Sequence, residues 1–246
     1  MSRQTGMERL DIGSTFGTTF NLMWRYPLRV FGVAFLLGAI PIRLVYYGAY
    51  LQFLRGYPAY IGGLEALAAL MVLQVVVGGV VAGSILEGGS LAKALRTLPR
   101  LWLVGILTML GSFLGLVLLI VPYFFVVVRW CVVASVTANE RVSVIGAFAR
   151  SNQLSEGARF SILGVAIIST ILQASLASLL IYVIVPAVGG LPRSEDFTIA
   201  PGTVFLKLLV DITKCGFSAA LQCALYMHLR ERRDGASSDR LSEIFA

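Results

Sequence analysis

Long apolar stretches alternate with short polar segments along the chain, and each apolar stretch is close to the length of a membrane-spanning helix. Such a helix needs roughly 20 residues to cross ~30 Å of hydrocarbon. The pattern therefore predicts an all-α integral membrane protein with six transmembrane helices. The predicted spans lie at about 28–48, 62–86, 100–121, 123–138, 158–185 and 204–229.

The fourth predicted span is shorter than the others and directly follows Pro122. Proline interrupts helical hydrogen bonding, and irregular backbone at membrane depth is tolerated where protein covers it. Spans three and four can therefore form a tight hairpin or one broken, re-entrant unit. Six complete spans remain the preferred prediction.

The composition supports a membrane domain that takes up nearly the whole chain. Of the 246 residues, 57% are hydrophobic and 13% are charged, and the mean hydropathy is +0.84. Such a composition cannot give a water-soluble domain a polar surface. We predict a polytopic membrane domain over residues 11–230, between a flexible cytoplasmic N-terminus at 1–10 and a cytoplasmic tail at 231–246. The first residues lack an apolar segment, so no removable signal peptide is expected.

Cations are distributed very unevenly between the two sides of the predicted membrane domain. Cytoplasmic segments near span ends carry an excess of Lys and Arg, so the cation-rich side is predicted to be cytoplasmic, with both termini inside. Arg55 and Arg193 fall in the two opposite loops, at 49–61 and 187–203. The fourteen cations on the cytoplasmic side are Arg3, Arg9, Arg25, Arg29, Lys93, Arg96, Arg100, Arg141, Arg150, Arg159, Arg230, Arg232, Arg233 and Arg240.

Four further cations fall inside predicted spans, namely Arg43, Arg129, Lys207 and Lys214. A charge within a span costs at least a few kcal/mol unless it reaches the interface or finds a partner.

Counting residues from the outer boundary puts Arg129 and Asp211 at the same depth, roughly 9–10 Å, and predicts that they pair. Lys214 lies one turn from Asp211 and can share its carboxylate, and Arg43 is predicted to meet Glu65. These five residues form the candidate intramembrane polar cluster, which is interpreted either as structural ion pairs or as an ion or substrate pathway.

Three short polar segments share the pattern acidic-x-x-Ser: "DIGS" at 11–14, "EGGS" at 87–90 and "ERVS" at 140–143. A serine at such a position can cap a helix N-terminus, and a nearby carboxylate favours the positive end of the helix dipole. Leu91, Leu95 and Leu98 then follow at helical spacing.

The other two segments show similar apolar spacing, which predicts three cytoplasmic interfacial amphipathic helices and a possible threefold internal repeat. Coincidence among three short linkers is the alternative. Basic residues in and beside these helices are predicted to form a belt that attracts anionic lipid. The belt comprises Arg25, Arg29, Lys93, Arg96, Arg100, Arg150 and Arg159.

The sequence offers little that resembles catalytic chemistry. Cys131, Cys215 and Cys223 all fall in apolar runs, and His228 ends the last predicted span. The common phosphate-binding and hydrolytic motifs are missing. We therefore predict no catalytic residue, no metal site and no cofactor. The net charge of +7 suits an anionic-lipid surface, and no folded region remains for nucleic acid.

Glycine and glutamine residues within the spans predict close helix packing. Gly79-x-x-x-Gly83 and Gly111-x-x-x-Gly115 allow backbones to approach, and contacts within one molecule are favoured over dimerisation. The mid-span glutamines either bond between helices or line a pathway. They are Gln74, Gln173 and Gln222.

Three stretches resemble the bacterial glycerophosphoryl diester phosphodiesterase membrane-domain family: "VPYFFVVVRW", "NERVSVIGAFARSNQLSEGARFSILG" and "ALYMHLRERRDG". The likeness covers most of residues 10–235. Its most specific parts are the spacing from Pro122 to Arg129, Glu140, the run from Ala147 through Arg150 to Gly157, and the closing Tyr226-x-x-Leu229-Arg230.

The resemblance implies a bacterial inner-membrane module. The catalytic phosphodiesterase domain of some relatives is expected to be absent, because it needs a couple of hundred more residues and several His and acidic ligands.

The expected function is a lipid-associated accessory or scaffold, with membrane lipids and possibly a membrane protein as partners. Two alternatives stay open. One is a small transporter or channel that uses Arg129, Asp211 and Lys214; the other is a membrane subunit of a separate enzyme. A wet cavity reaching the polar cluster would favour transport, whereas a dry, fully paired cluster would favour a scaffold.

Overall fold

The computed structural model describes residues 11–86, 90–118, 120–179 and 201–235, and within these ranges the chain is helical nearly throughout and contains no strand. The α-helices, in chain order, are α1 Ile12–Arg25, α2 Pro27–Val33, α3 Ile40–Leu54, α4 Ala59–Ile85, α5 Leu91–Leu95, α6 Leu98–Leu118, α7 Ile120–Arg129, α8 Val133–Asn139, α9 Val144–Ser155, α10 Arg159–Leu179 and α11 Pro201–Arg230. Two π-helices, Ala34–Ala39 and Glu231–Gly235, join α2 to α3 and extend α11.

Five helices in the described ranges are long and apolar enough to cross a membrane, so the fold is that of a multi-pass membrane protein. They are Pro27–Leu54, Tyr60–Ile85, Leu98–Val117, Arg159–Leu179 and Phe205–Gly235. The all-α fold class is confirmed, and these helices coincide with five of the six predicted spans.

The fourth predicted span has a different structure from the other five. It consists of α7 and α8, which a turn at residues 130–132 separates. The apolar segment Tyr123–Asn139 is shorter than each of the five spans.

Helix α4 is the central helix and the most buried of the five spans. It packs against the first span, α6, α8 and α11. Small residues permit these contacts: a methyl group at Gly83 would lie 3.1 Å from Cβ of Ala138 and 3.4 Å from Cβ of Ala94. The chain thus enters α6 and leaves α8 at the same end of α4. We call this end, marked by Gly83, Ala94 and Ala138, the basic end.

The first span contains the π-helix Ala34–Ala39, whose wider turn suits the proline that follows. Pro41 has no backbone N–H to donate, and the N–H of Ile40 bonds to the carbonyl of Phe35, five residues back. The widened turn lies against α11, where a methyl group at Gly38 would lie 3.1 Å from Sγ of Cys215. This contact fixes the first span and α11 side by side.

Two of the three predicted serine caps are confirmed. Ser90 accepts from the N–H of Lys93 at 3.2 Å, and Ser143 accepts from the N–H of Gly146 at 3.1 Å. At α1 the predicted serine cap is wrong, because Asp11 and not Ser14 caps the helix. The Asp11 carboxylate accepts from the N–H groups of Gly13 and Ser14, each at 3.1 Å. An Asp side chain caps as well as serine does.

The apolar faces of α1 and α9 pack largely on the bundle. Phe16 and Phe20 of α1 contact the ring of Phe217 on α11, with centroid distances of 6.3 and 5.9 Å. Phe148 of α9 contacts the ring of Trp130 edge to face at 4.8 Å. The amphipathic stripes read from the sequence therefore serve docking against the bundle.

Several predictions fall on residues outside the described ranges. These are the flexible N-terminus at 1–10, the first three residues of "EGGS", the end of the fifth span, the loop at 187–203 up to residue 200, the tail from residue 236, and Arg3, Arg9, Arg193 and Arg240. The start of the predicted tail is described, and residues 231–235 continue α11 as a π-helix.

Candidate functional site

Arg43 and Asp211 form an ion pair between the first span and α11. Both Nε and Nη2 of Arg43 contact one oxygen of the Asp211 carboxylate. The same guanidinium also donates to the carbonyl of Lys207 at 3.3 Å. Because two hydrogen bonds and opposite charges meet here, the pair is neutral and geometrically fixed.

The predicted pairings of this cluster are wrong in their partners. Asp211 pairs with Arg43 instead of Arg129, and Glu65 accepts from the amide of Gln52 at 3.0 Å instead of from Arg43. Gln52 lies nine residues after Arg43, which is half a turn around the α3 helix. Glu65 of α4 therefore lies beside the Gln52 face of α3, opposite the face that carries Arg43. In the described part of the chain, Lys214 makes no ion pair within 4.0 Å.

A second network joins α8, α9 and the end of α11 at the basic end. Arg150 donates from Nε to Glu140 at 3.2 Å and from Nη2 to Asp234 at 2.8 Å. The hydroxyl of the buried Tyr226 donates to the same Glu140 carboxylate at 3.1 Å. These are the residues that carry the family resemblance, apart from Asp234. Glu140 and Arg150 lie ten residues apart, whereas Asp234 is 84 residues from Arg150 and Tyr226 is 86 residues from Glu140, and the fold brings all four together.

Arg150 is permanently charged in this network. Its hydrogen bond with Asp234 and the charge of Glu140 raise the pKa of the guanidinium above its usual value, although partial burial opposes the shift. An arginine that already has two carboxylate partners has little capacity left for another anion. The belt residue Arg150 therefore has a structural role that the sequence did not reveal.

Two arginines at the end of α11 fix the turn between α9 and α10. Arg233 donates to the carbonyl of Gln153 and lies 3.3 Å from the Glu156 carboxylate. Arg232 donates to the carbonyl of Gly157 at 3.3 Å. Gly157 has a φ of 77°, a left-handed conformation that glycine adopts without a steric penalty. These contacts hold the α9–α10 turn against the end of α11.

Arg129 lies beside this turn and points to an aromatic ring. Its Cζ is 4.6 Å from the ring centroid of Phe125, one helical turn earlier, and its backbone carbonyl accepts from the hydroxyl of Ser151 at 2.8 Å. Arg159, the first residue of α10, approaches the same ring, with Cζ at 5.5 Å from the centroid. We call Phe125, Arg129 and Arg159 the arginine corner.

The arginine corner has no carboxylate partner in the described part of the chain. The ion pairs found there within 4.0 Å involve neither Arg129 nor Arg159. The Nε atoms of both arginines are buried and donate no hydrogen bond, and Nη1 of nearby Arg232 is in the same state. Each buried donor without an acceptor costs about 1–3 kcal/mol. The corner therefore carries two guanidinium charges that no carboxylate in the described ranges neutralises.

The other belt residues lie exposed at the surface next to large apolar side chains. Trp24 is 90% exposed beside Arg25, and Leu28 is 88% exposed beside Arg29, which also donates to the carbonyl of Ser84. The first three cations after Ser90 are exposed in and after α5. They are Lys93, Arg96 and Arg100.

A cavity of about 250 Å³ lies among α4, α6, α7, α8, α10 and α11. The amide of Gln74 donates to the Ser218 hydroxyl at 2.5 Å within its wall, and the buried hydroxyl of Thr108 has no partner. The described residues that line it do not include Arg43 or Asp211. Its polar lining residues are Gln74, Thr108, Ser112, Tyr123, Ser169, Ser218 and Gln222.

Within the described ranges, no group of three or more His, Cys, Asp and Glu side chains has the geometry of a metal site. Comparisons of the chain with known protein families, curated proteins and solved structures found no match. The geometry of the arginine corner, the exposed cations and the cavity is therefore the basis for inferring function.

Sequence reasoning missed two participants in these sites. Asp234 had been assigned to the tail, although its spacing of four residues from Arg230 is typical of a helical ion pair. Phe125 was not singled out in the sequence. The spacing of four residues between Phe125 and Arg129 was the available signal, since side chains four apart meet on one helix face.

Proposed function

We propose that this protein is a bacterial inner-membrane scaffold or accessory protein that associates with anionic lipids and has no catalytic site of its own. The observation that carries the proposal is the alternation of exposed cations with exposed aromatic and aliphatic side chains, as at Trp24 and Arg25. Aromatic side chains favour the headgroup level, and each cation near an anionic surface contributes about 1 kcal/mol.

The topology that goes with this proposal has six crossings, with both termini cytoplasmic. The start of α6 and the end of α8 lie at the same end of α4. This arrangement supports an even number of crossings between the start of α6 and the end of α8. The excess of cations at that end supports its cytoplasmic placement. Single cysteines in place of Tyr57 and Ala92, in a background without native cysteines, should react with an impermeant thiol reagent from opposite sides. Reaction of both from the outside contradicts this topology.

The resemblance to the phosphodiesterase membrane-domain family supports a shared structure at the basic end and no shared catalytic activity. Glu140, Arg150 and Tyr226, on which the resemblance rests, form one hydrogen-bonded network. A shared structural role at the basic end explains why such residues occur together, and it requires no phosphodiester hydrolysis. The three capped helices are proposed to be variants of one repeated unit.

Lipid retention tests the proposed function. The full chain, extracted in mild detergent, is exchanged into equal amounts of phosphatidylglycerol and phosphatidylcholine, and retained lipids are measured by native mass spectrometry. We expect phosphatidylglycerol to be preferred, and Lys93→Gln, Arg96→Gln and Arg100→Gln together to reduce that preference. Arg55→Gln, which removes a cation at the predicted opposite side, is the matched control. Equal retention of both lipids by the wild-type protein contradicts the proposal.

The cavity favours a second candidate function, a small transporter. Its lining combines two glutamines with several hydroxyl groups, and Thr108 has an unused donor. A solute pathway needs water to reach this lining. Ser218→Cys in a cysteine-free background should then react with a small water-soluble thiol reagent in membranes. Protection of this cysteine under conditions that label Tyr57→Cys contradicts the transporter.

A further inference from the structure

The arginine corner holds two positive charges close together without a protein anion between them. The two distances to the Phe125 centroid place the Cζ atoms of Arg129 and Arg159 within about 10 Å of each other. A guanidinium over a ring keeps its N–H groups at the edge of its own plane, where they remain available as donors. Both Nε groups are buried and have no acceptor.

We propose that the arginine corner binds the phosphate group of an anionic phospholipid, with Arg129 and Arg159 donating to the phosphate oxygens. This inference rests on the proposed association with anionic lipid and assigns it a defined site. Arginine presents a planar fork of donors that matches phosphate oxygens in pairs. The Nη groups of Arg129 and Arg159 are not among the buried donors and make no hydrogen bond within the described ranges, so they are the donors that a phosphate group can reach.

Apolar surface beside the corner indicates that the phosphate belongs to a lipid. Phe160, which follows Arg159, is 92% exposed, and Phe124 and Phe125 are about half exposed. Exposed rings beside the headgroup position can contact the glycerol backbone and the upper part of the acyl chains. A free phosphate ion has no part that contacts these rings.

The carboxylate closest in sequence to the corner does not neutralise it. Glu156 precedes Arg159 by three residues and lies 3.3 Å from Arg233 instead. Arg232 adds a third guanidinium at the same turn, with Nη1 buried and without a partner. The charge around the α9–α10 turn therefore favours an anion.

The test compares the wild-type chain with Arg129→Gln/Arg159→Gln in mild detergent. Phosphatidylglycerol and phosphatidylcholine are titrated separately, and bound lipids are counted by native mass spectrometry as collision energy rises. We expect the most strongly retained phosphatidylglycerol to bind at least about tenfold more weakly to the double variant, since two cations contribute. Arg141→Gln is the matched control, because Arg141 is exposed in the α8–α9 connection and lies outside both proposed lipid sites.

The same titration separates this inference from the proposed function. If wild-type protein shows no phosphatidylglycerol preference, both are overturned. If the preference responds to Lys93→Gln/Arg96→Gln/Arg100→Gln but is unchanged in Arg129→Gln/Arg159→Gln, only the corner site is overturned. Loss in the corner variant alone, with the Arg141→Gln result equal to that of wild type, supports the site.

Two further arms address folding and the source of the phosphate. Arg129→Lys/Arg159→Lys keeps both charges, so it remains testable if the glutamine variant does not fold; we expect binding a few times weaker than wild type, and wild-type binding overturns the assignment. Inorganic phosphate is added at an ionic strength matched with chloride. Displacement of the retained lipid by phosphate but not by chloride identifies a free-phosphate site and overturns the lipid assignment.

Discussion

Arginines occur in two contrasting environments in this bundle. Arg43 belongs to the first span and contacts Asp211 of α11, which neutralises it. Arg129 and Arg159 share one aromatic ring and leave buried donors without acceptors. The contrast shows that arginines within apolar sequence can have different structural roles. A paired arginine joins two helices, whereas the unpaired arginines carry the proposed phosphate site.

Arg150 provides a reference between these two extremes. It lies at the basic end near the arginine corner, yet Glu140 and Asp234 occupy its donors. Proximity to the predicted headgroup region therefore does not by itself leave an arginine free. Three substitutions probe the difference between paired and unpaired arginines.

The largest effect is expected for Asp211→Ala, because it leaves the Arg43 charge within a span without a carboxylate. Removing one partner of a buried ion pair typically costs about 3–5 kcal/mol. We expect a lower yield of monodisperse protein and a lower thermal unfolding midpoint in detergent. Arg43→Leu/Asp211→Leu should recover part of both losses. Destabilisation of the double variant equal to the sum of the single effects shows that the residues do not act as a pair.

An intermediate effect is expected for Glu140→Gln. The change removes the carboxylate charge that Nε of Arg150 contacts, whereas the contact with Asp234 remains. It also weakens the acceptor for the Tyr226 hydroxyl. Hydrogen bonds to charged groups contribute about 1.5–3 kcal/mol, so we expect destabilisation of about 2 kcal/mol. Glu156→Gln, which affects an exposed ion pair, should cost less than about 1 kcal/mol. Equal losses in chemical denaturation would refute a special role for Glu140.

The smallest effect is expected for Arg129→Met in lipid-free detergent. Methionine retains contact with Phe125 and removes a buried donor that has no acceptor, so the free energy of unfolding should stay within about 1 kcal/mol of wild type. Added phosphatidylglycerol should raise the unfolding midpoint of wild type more than that of the variant. A severe loss of stability without lipid indicates an undetected protein partner for Arg129.

Much of the fold could be predicted from the sequence because span length and helix caps depend on local patterns. The spans around α4 and α6 and the caps at Ser90 and Ser143 are examples. Local patterns do not specify which helices become neighbours. Depth counting matched Arg129 to Asp211, whereas the contact between Gly38 and Cys215 aligns the first span with α11. Arg43 and Asp211 then lie about one turn beyond that contact on facing helices.

The candidate site was predicted less well for the same reason. Arg129 was singled out as unusual, but six complete spans were preferred over a broken, re-entrant unit formed by spans three and four. The break at residues 130–132 and the docking of α9 bring Arg129 beside the start of α10. Only the tertiary arrangement shows that Phe125 has a second arginine next to it.

The broken segment formed by α7 and α8 also has a consequence for biosynthesis. Neither helix is long enough to enter the bilayer as an independent span, because α7 ends at Arg129 and α8 covers only Val133–Asn139. Residues 120–139 reach the translocation machinery immediately after α6, against which α7 packs. We expect α6 and residues 120–139 to leave the insertion channel together. Helices α7 and α8 would then enter the bilayer with α6 as one unit.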